Sequence, residues 1–309
     1  MKTRTIGSLH VSVVGLGCNN FGGRCTFEET SAVVEAAMEA GINFFDTADI
    51  YGGTHSEAFL GRILKSRRKK VIIASKFGNE VTGQGKGASP AYIRTAVEAS
   101  LKRLDTDYID LYQLHTPDET VPIADTLGAL TELVKAGKVR EIGCSNFSVA
   151  QMRDAETDSK SGLVRFVSIQ NQYSLFEREP ELGVLDECTR SNTMFLPFFP
   201  LASGLLSGKY RLGHPIPSGT RLSGARGEKV LTEATLEKVE TLVRFAEERG
   251  HTILELAFCW LLNRSVIASV IAGATKPLQV HDNAAAAVDW SLTTAEMAAI
   301  DSILTVKGN

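Results

Sequence analysis

Phe44-Phe45-Asp46-Thr47-Ala48-Asp49-Ile50-Tyr51-Gly52 is the stretch whose reading decides the fold. The run from Ile42 to Phe45 reads as a short buried strand that ends on a carboxylate, and a tyrosine follows in the next loop. The arrangement recurs: Val71 to Ser75 runs into Lys76, and Ile109 to Leu114 runs into His115. If these strands are parallel neighbours, Asp46, Tyr51, Lys76 and His115 meet at one rim. Catalytic groups sit at that rim in a closed β/α barrel.

Working outward, strand and helix signals alternate along the chain. Thr3 to Ile6 and Leu9 to Ser12, joined by Gly7-Ser8, read as a β-hairpin. Val13 to Gly17 is the first internal strand. The helix Phe27 to Ala40 follows, with Thr26 as N-cap and Gly41 as stop. Further strands are expected at Ile42–Asp46, Val71–Ser75, Ile109–Leu114, Val139–Cys144, Phe166–Gln170, Met194–Phe199 and Ile267–Ile271. Helical patterns separate them, including Ser56–Leu64, Ser89-Pro90 through Leu104, Leu182–Ser191 and Ile253–Leu262. Leu278–Ala287 and Thr294–Ile303 close the chain. Eight strands alternating with helices imply a parallel sheet covered by helices. The expected fold is therefore α/β: a (β/α)8 (TIM) barrel with an N-terminal β-hairpin and extra C-terminal helices, one domain over residues 1–309. An open doubly wound sheet is the rival. The run Leu201 to Gly227, rich in Gly, Ser and Pro, reads as a long functional loop.

The 309 residues are 43% hydrophobic and 22% charged, with a net charge of -3, which leaves no electrostatic footprint for nucleic acid or a membrane surface. No apolar run reaches the roughly 18 residues of a spanning helix, and no signal peptide is read at Met1 to Thr5. The five scattered cysteines form no C-x-x-C pair, so a reducing cytoplasm is expected.

Rival motifs fail on spacing. Gly15-x-Gly17 has Asn20 where a dinucleotide fingerprint needs its third glycine. Gly204 to Lys209 is one residue short of a phosphate loop, with Tyr210 in place of Ser or Thr. A looser phosphate contact there remains open. The six histidines lack i, i+4 pairing, so no catalytic metal is expected.

The four rim residues suit one reaction. A phenol titrates near ~10 and is a weak acid alone, but an adjacent ammonium favours its anion. Lys76 is expected to lower Tyr51 in this way, with Asp46 holding Lys76 and His115 bonding the substrate oxygen or the tyrosine. Such a set gives a proton to a carbonyl oxygen. No side chain supplies hydride, so a reduced nicotinamide is implied. Singly, each residue has a bland reading: a helix cap, a loop packer, a solvated strand end, a core histidine. Four together at strand ends outweigh those readings.

The chain resembles the aldo-keto reductases. The resemblance rests on Phe45-Asp46-Thr47-Ala48-Asp49-Ile50-Tyr51-Gly52, Ser56-Glu57 with Leu60-Gly61, Ala74-Ser75-Lys76-Phe77-Gly78 and Asp110 through His115. It continues in Gly143-Cys144-Ser145-Asn146-Phe147, Pro200 through Tyr210 and Gly273 through Gln279. The resemblance implies a catalytic tetrad of Asp46, Tyr51, Lys76 and His115, with the tyrosine as proton donor. It implies nicotinamide-amide contacts at Ser145, Asn146 and Gln170, and a ring stack at Phe198. Phe199 departs from the small polar residue usual there. Pyrophosphate contacts are implied at Leu201, Ser203, Gly204, Leu205 and Lys209, and adenosine contacts at Gly273, Thr275, Lys276, Gln279 and Asn283. The Lys-Ser pair and later Arg that grip a 2′-phosphate are here Gly273, Ala274 and Gln279, with Lys276 the nearest basic substitute. NADPH is the expected cofactor and NADH the second candidate. The expected partner is a small carbonyl substrate, an aldehyde, ketone or sugar, with no nucleic acid and no membrane. The alternative is a cofactor-binding module, redox-sensing or channel-subunit-like, on the same fold. Pocket shape is assigned to the loops Asn19–Arg24, Asn79–Ala88 and Ser218–Arg226.

Overall fold

The computed structural model describes residues 1–305. Strands β1 (Thr3–Ile6) and β2 (Leu9–Ser12) form an antiparallel hairpin. Eight parallel strands follow: β3 (Val14–Gly17), β4 (Phe44–Asp46), β5 (Ile72–Phe77), β6 (Ile109–Leu114), β7 (Val139–Ser145), β8 (Ser168–Gln172), β9 (Met194–Phe198) and β10 (Val270–Gly273). Their order is β10-β3-β4-β5-β6-β7-β8-β9. A parallel bridge from Phe195 to Ile267, just ahead of β10, brings the two ends of the sheet together. The expected barrel is thus present. Its helices are α1 (Phe27–Glu39), α2 (His55–Leu64), α3 (Pro90–Leu104), α4 (Ile123–Lys135), α5 (Val149–Ser159), α6 (Val184–Ser191), α7 (Ala225–Val230), α8 (Glu233–Glu247), α9 (Ile253–Leu262), α10 (Pro277–Ala286) and α11 (Thr294–Thr305).

The two-residue period of a strand sorts the barrel into layers. Inward-facing Phe44, Ile72, Ala74, Leu111, Leu196 and Ile271 pack together, and Ile6, Leu9 and Val11 of the hairpin join them as a floor. One inward step further along the strands stand Asp46, Lys76 and Gln113, all buried. An apolar plug therefore lies beneath a polar ring at the carboxyl ends of the strands. The outward-facing Phe45, Ile73, Tyr112 and Ile142 pack against helix residues such as Val33, Leu60, Leu104 and Leu127. Each fully buried side chain of this size contributes about 1.5–3 kcal/mol.

Helix starts follow the local chemistry. Thr26, Ser148 and Thr252 each form a reciprocal cap with the Glu or Gln three residues on. Several element bounds shift by a few residues from the sequence reading, as at Ser168–Gln172, and three of the differences have a local cause. The eighth strand begins later than expected, because Ile267 pairs with β9 while Val270 to Gly273 pair with β3, and the chain changes partner in between. The helix expected from Leu182 starts at Val184, after a 3-10 turn at Glu179–Leu182, since Gly183 has a φ of 137°. The long run from Leu201 contains a 3-10 turn, Ala202–Ser207, and ends in α7.

Candidate functional site

The carboxyl ends of the barrel strands open into a cleft of about 650 Å³, within the range of small-molecule and cofactor sites. Asp46 ends β4, and Lys76 is the penultimate residue of β5. His115 follows β6, its amide extending the ladder to the Phe77 carbonyl at 2.8 Å. Tyr51 is held by a tight turn. Gly52 after it has a φ of 58°, and a Cβ there would lie 2.1 Å from the Phe21 carbonyl oxygen, so only glycine fits.

The four side chains converge. The Lys76 ammonium, fully buried, donates to Asp46 Oδ2 at 2.7 Å, to the Thr47 carbonyl at 2.9 Å and to Tyr51 Oη at 3.3 Å. All three of its donors are thereby used. Asp46 Oδ1 accepts from Gln170 Nε2 at 2.8 Å and Gln113 Nε2 at 3.3 Å. Because Tyr51 Oη accepts from Lys76, its own proton is free to be donated elsewhere. The rings of Tyr51 and His115 meet edge-on, with centroids 5.9 Å apart.

Electrostatics set the two titratable rings apart. Burial, then the Lys76 charge, push the His115 imidazole down to about 3, so it is neutral at physiological pH. Its buried Nδ1 has no hydrogen-bond partner among the described residues. Burial raises Tyr51 above its ordinary value, and Lys76 only partly offsets this. The expectation that Lys76 leaves Tyr51 lowered is therefore corrected: the low-dielectric surroundings outweigh the ammonium. Burial also pulls Lys76 down, but Asp46 and then Tyr51 more than compensate, so its pKa ends raised and it stays charged.

Of the eighteen residues singled out from sequence, sixteen line the cleft. Lys76 lies beneath it, joined through Asp46 and Tyr51. Leu205 is 1% exposed, and its side chain anchors the 3-10 turn in the core. Ser145 ends β7, and its hydroxyl donates to the Gln170 carbonyl at 2.6 Å. Asn146, in the left-handed region at φ 61°, donates through Nδ2 to the His115 carbonyl at 2.9 Å. Thus a single network ties the strand ends β6, β7 and β8 together. Further along the cleft the backbone turns left-handed at Ala202, Ser203 and Gly204 in succession. Runs that mix right- and left-handed residues form concavities suited to anions. At the far end Gln279 Oε1 accepts from the Thr275 amide at 2.8 Å and hydroxyl at 3.2 Å, which turns its Nε2 away from them.

The cleft also contains residues that sequence reasoning did not assign. Arg24 donates to the Gly219 carbonyl at 3.2 Å, and Arg221 to Asn20 Oδ1 at 2.9 Å, so the segment 218–221 is fastened to the loop after β3. Burial, then Arg24 and Arg221, lower the Lys209 ammonium. Cations that disfavour one another across a cleft fit an anion such as a pyrophosphate. The only signal in the sequence was their position in two loops expected to shape the pocket. Those loops, Asn19–Arg24 and the first part of Ser218–Arg226, do line it; Asn79–Ala88 does not.

A profile of the Aldo/keto reductase family matches residues 13–305. The chain belongs to this family. Among curated proteins it is 32% identical to "L-glyceraldehyde 3-phosphate reductase" of Escherichia coli K12, over 95% of this chain and 89% of that protein. It is 33% identical to "Aldo-keto reductase yakc [NADP(+)]" of Schizosaccharomyces pombe, over 92% and 86%. It is 32% identical to "Probable voltage-gated potassium channel subunit beta" of Oryza sativa, over 92% and 90%. The solved structure of the glycerol dehydrogenase AKR11B4 from Gluconobacter oxydans superimposes with a TM-score of 0.83 at 31% identity, covering 98% of this chain and 95% of that one. As an aldo-keto reductase the protein is an NAD(P)H-dependent oxidoreductase. No helix among the described residues is long and apolar enough to cross a membrane.

Proposed function

We propose that the protein reduces the carbonyl of an aldehyde, ketone or sugar to the alcohol, with Tyr51 as the proton donor. The observation that carries this reading is the buried chain Asp46–Lys76–Tyr51, which leaves one phenolic proton free beside a neutral His115. The cofactor is NADPH, which supplies the hydride when bound. The chain's own residues fit it. Ser145, Asn146 and Gln170 would hold the nicotinamide amide, and Phe198 would face its ring. Leu201, Ser203, Gly204 and Lys209 would hold the pyrophosphate, supported by the crowded cations at that part of the cleft, while Leu205, buried in the core, would anchor the turn that carries them. Gly273, Thr275, Lys276, Gln279 and Asn283 would hold the adenosine end.

As negative charge grows on the carbonyl oxygen, Tyr51 releases its proton to it, and Lys76 steadies the phenolate that remains. Acid catalysis of this kind is worth typically ~10²–10⁴-fold. His115, uncharged, orients the carbonyl oxygen rather than protonating it. The test is a panel of carbonyls that includes glyceraldehyde 3-phosphate, free glyceraldehyde and an aromatic aldehyde, with loss of NADPH absorbance as the readout. The name of the rice relative supports a second reading, a cofactor-binding subunit. That reading predicts tight NADPH binding with no turnover on any member of the panel.

Two results on binding are expected. Phe198→Ala weakens NADPH binding by about 0.5–1.5 kcal/mol beyond the lost contact area, measured by fluorescence titration. Lys276→Ala weakens NADPH and leaves NADH unchanged, by about 1 kcal/mol or less, because this ammonium is solvent-exposed. Equal loss for both cofactors would remove Lys276 from the 2′-phosphate.

A further inference from the structure

Asp49 has no part in the chemistry above, yet it is 1% exposed and sits two residues before Tyr51. Its amide donates to the Lys76 carbonyl at 3.2 Å, which fixes its backbone directly on the strand that bears the ammonium. Neither carboxyl oxygen has a hydrogen-bond partner among the described residues. The Ile50 amide is near enough to favour the anion but does not reach hydrogen-bond geometry. The neighbouring carboxylate, Glu57 of α2, is fully served: Oε1 accepts from Ser75 Oγ at 2.5 Å and Oε2 from Arg103 Nε at 2.7 Å. A buried carboxylate with no donors beside a satisfied one is costly, and neutralisation is the ordinary escape.

We propose that Asp49 is a positioning residue of the reaction, a buried carboxyl whose ionisation adds negative charge within reach of Lys76 and so tightens the hold of Tyr51 on its proton. The inference rests on Tyr51 being the donor. The groups that face Asp49 are Glu57 from α2, Arg103 and Tyr92 from α3, Lys76 from β5 and Tyr112 from β6. Burial raises Tyr92 to about 12 and Tyr112 well above its ordinary value, so neither phenol titrates near neutrality. Burial, then the charge of Glu57, push Asp49 from 3.8 to about 7, against the weaker pull of Arg103, the Ile50 amide and Lys76. The native state therefore holds this proton where the unfolded chain has lost it. The resulting stability is full below pH 3.8 and is lost as the pH rises through about 7.

The decisive experiment compares the pH profile of alcohol oxidation with NADP+ in wild type and Asp49→Asn. Oxidation needs Tyr51 as a base, so its rate rises with pH through a limb that reports the Tyr51 proton. Asn removes the negative charge, and the limb is expected to move to lower pH. A merely structural role would change the rate without moving the limb, and an unmoved limb overturns the proposal. If Asn is not accommodated, Asp49→Ser makes the same comparison with a smaller neutral side chain. Infrared spectroscopy of the wild type adds an independent readout. A protonated-carboxyl band lost as the pH is raised across neutrality supports the proposal, and its absence at pH 5 overturns it. Tyr51→Phe separates the two levels. If that variant is inactive while the Asp49→Asn limb is unmoved, this inference fails and the reading of Tyr51 stands.

Discussion

Tyr51→Phe is expected to lose carbonyl reduction by roughly 10²–10⁴-fold or more, while NADPH affinity stays within a few-fold of wild type. The ring is retained, so its edge contact with His115 survives. Only the hydroxyl leaves, and with it the proton proposed to neutralise the forming alkoxide. The neighbours cannot take over. His115, pushed down to about 3, carries no extra proton at neutral pH. The Lys76 ammonium is bonded to Asp46 and the Thr47 carbonyl and is fully buried. Turnover and NADPH affinity measured on one preparation check this. Turnover within a few-fold of wild type would remove Tyr51 from the chemistry.

Lys76→Met has the largest expected effect on the fold itself. The substitution fills similar volume but leaves Asp46, 3% exposed, without its cation. Gln113 and Gln170 still donate to Asp46 Oδ1, yet Oδ2 loses its partner. Breaking one side of a buried ion pair costs about 3–5 kcal/mol. Adding Asp46→Asn removes the stranded charge, so the double variant is expected to recover most of that stability and none of the turnover. Urea unfolding of the two variants tests this. A single variant within 1 kcal/mol of wild type would mean that the pair contributes little net stability.

Much of this architecture was legible in the sequence, because apolar periodicity and strand-end chemistry are local properties. The strand Ile109–Leu114 and the helix Ile253–Leu262 stand where their patterns put them. Asp46, Lys76 and His115 were legible for the same reason: each follows an apolar run. Barrel closure was less so, since the pairing of Phe195 with Ile267 depends on where the chain changes partner. Arg24 and Arg221 reach the cleft from loops about 200 residues apart, and no period connects them. The direction of the Tyr51 shift was misread because spacing shows a neighbouring lysine but not the burial that outweighs it. Asp49 went unread for a related reason. Within Thr47-Ala48-Asp49-Ile50 it is an ordinary polar loop residue, and only the packing of α2 and α3 around it makes its charge costly.

The central claim is that hydride passes from the nicotinamide to a carbonyl carbon while Tyr51 protonates the oxygen. NADPH carrying deuterium at the transferable position of its ring tests this most directly, in one incubation with the best aldehyde of the panel. The account predicts NADP+ and an alcohol that bears one deuterium on the former carbonyl carbon, with its hydroxyl proton drawn from solvent by way of Tyr51. Labelled NADPH that stays bound and unconsumed with every carbonyl, or an alcohol formed without the label, would contradict it.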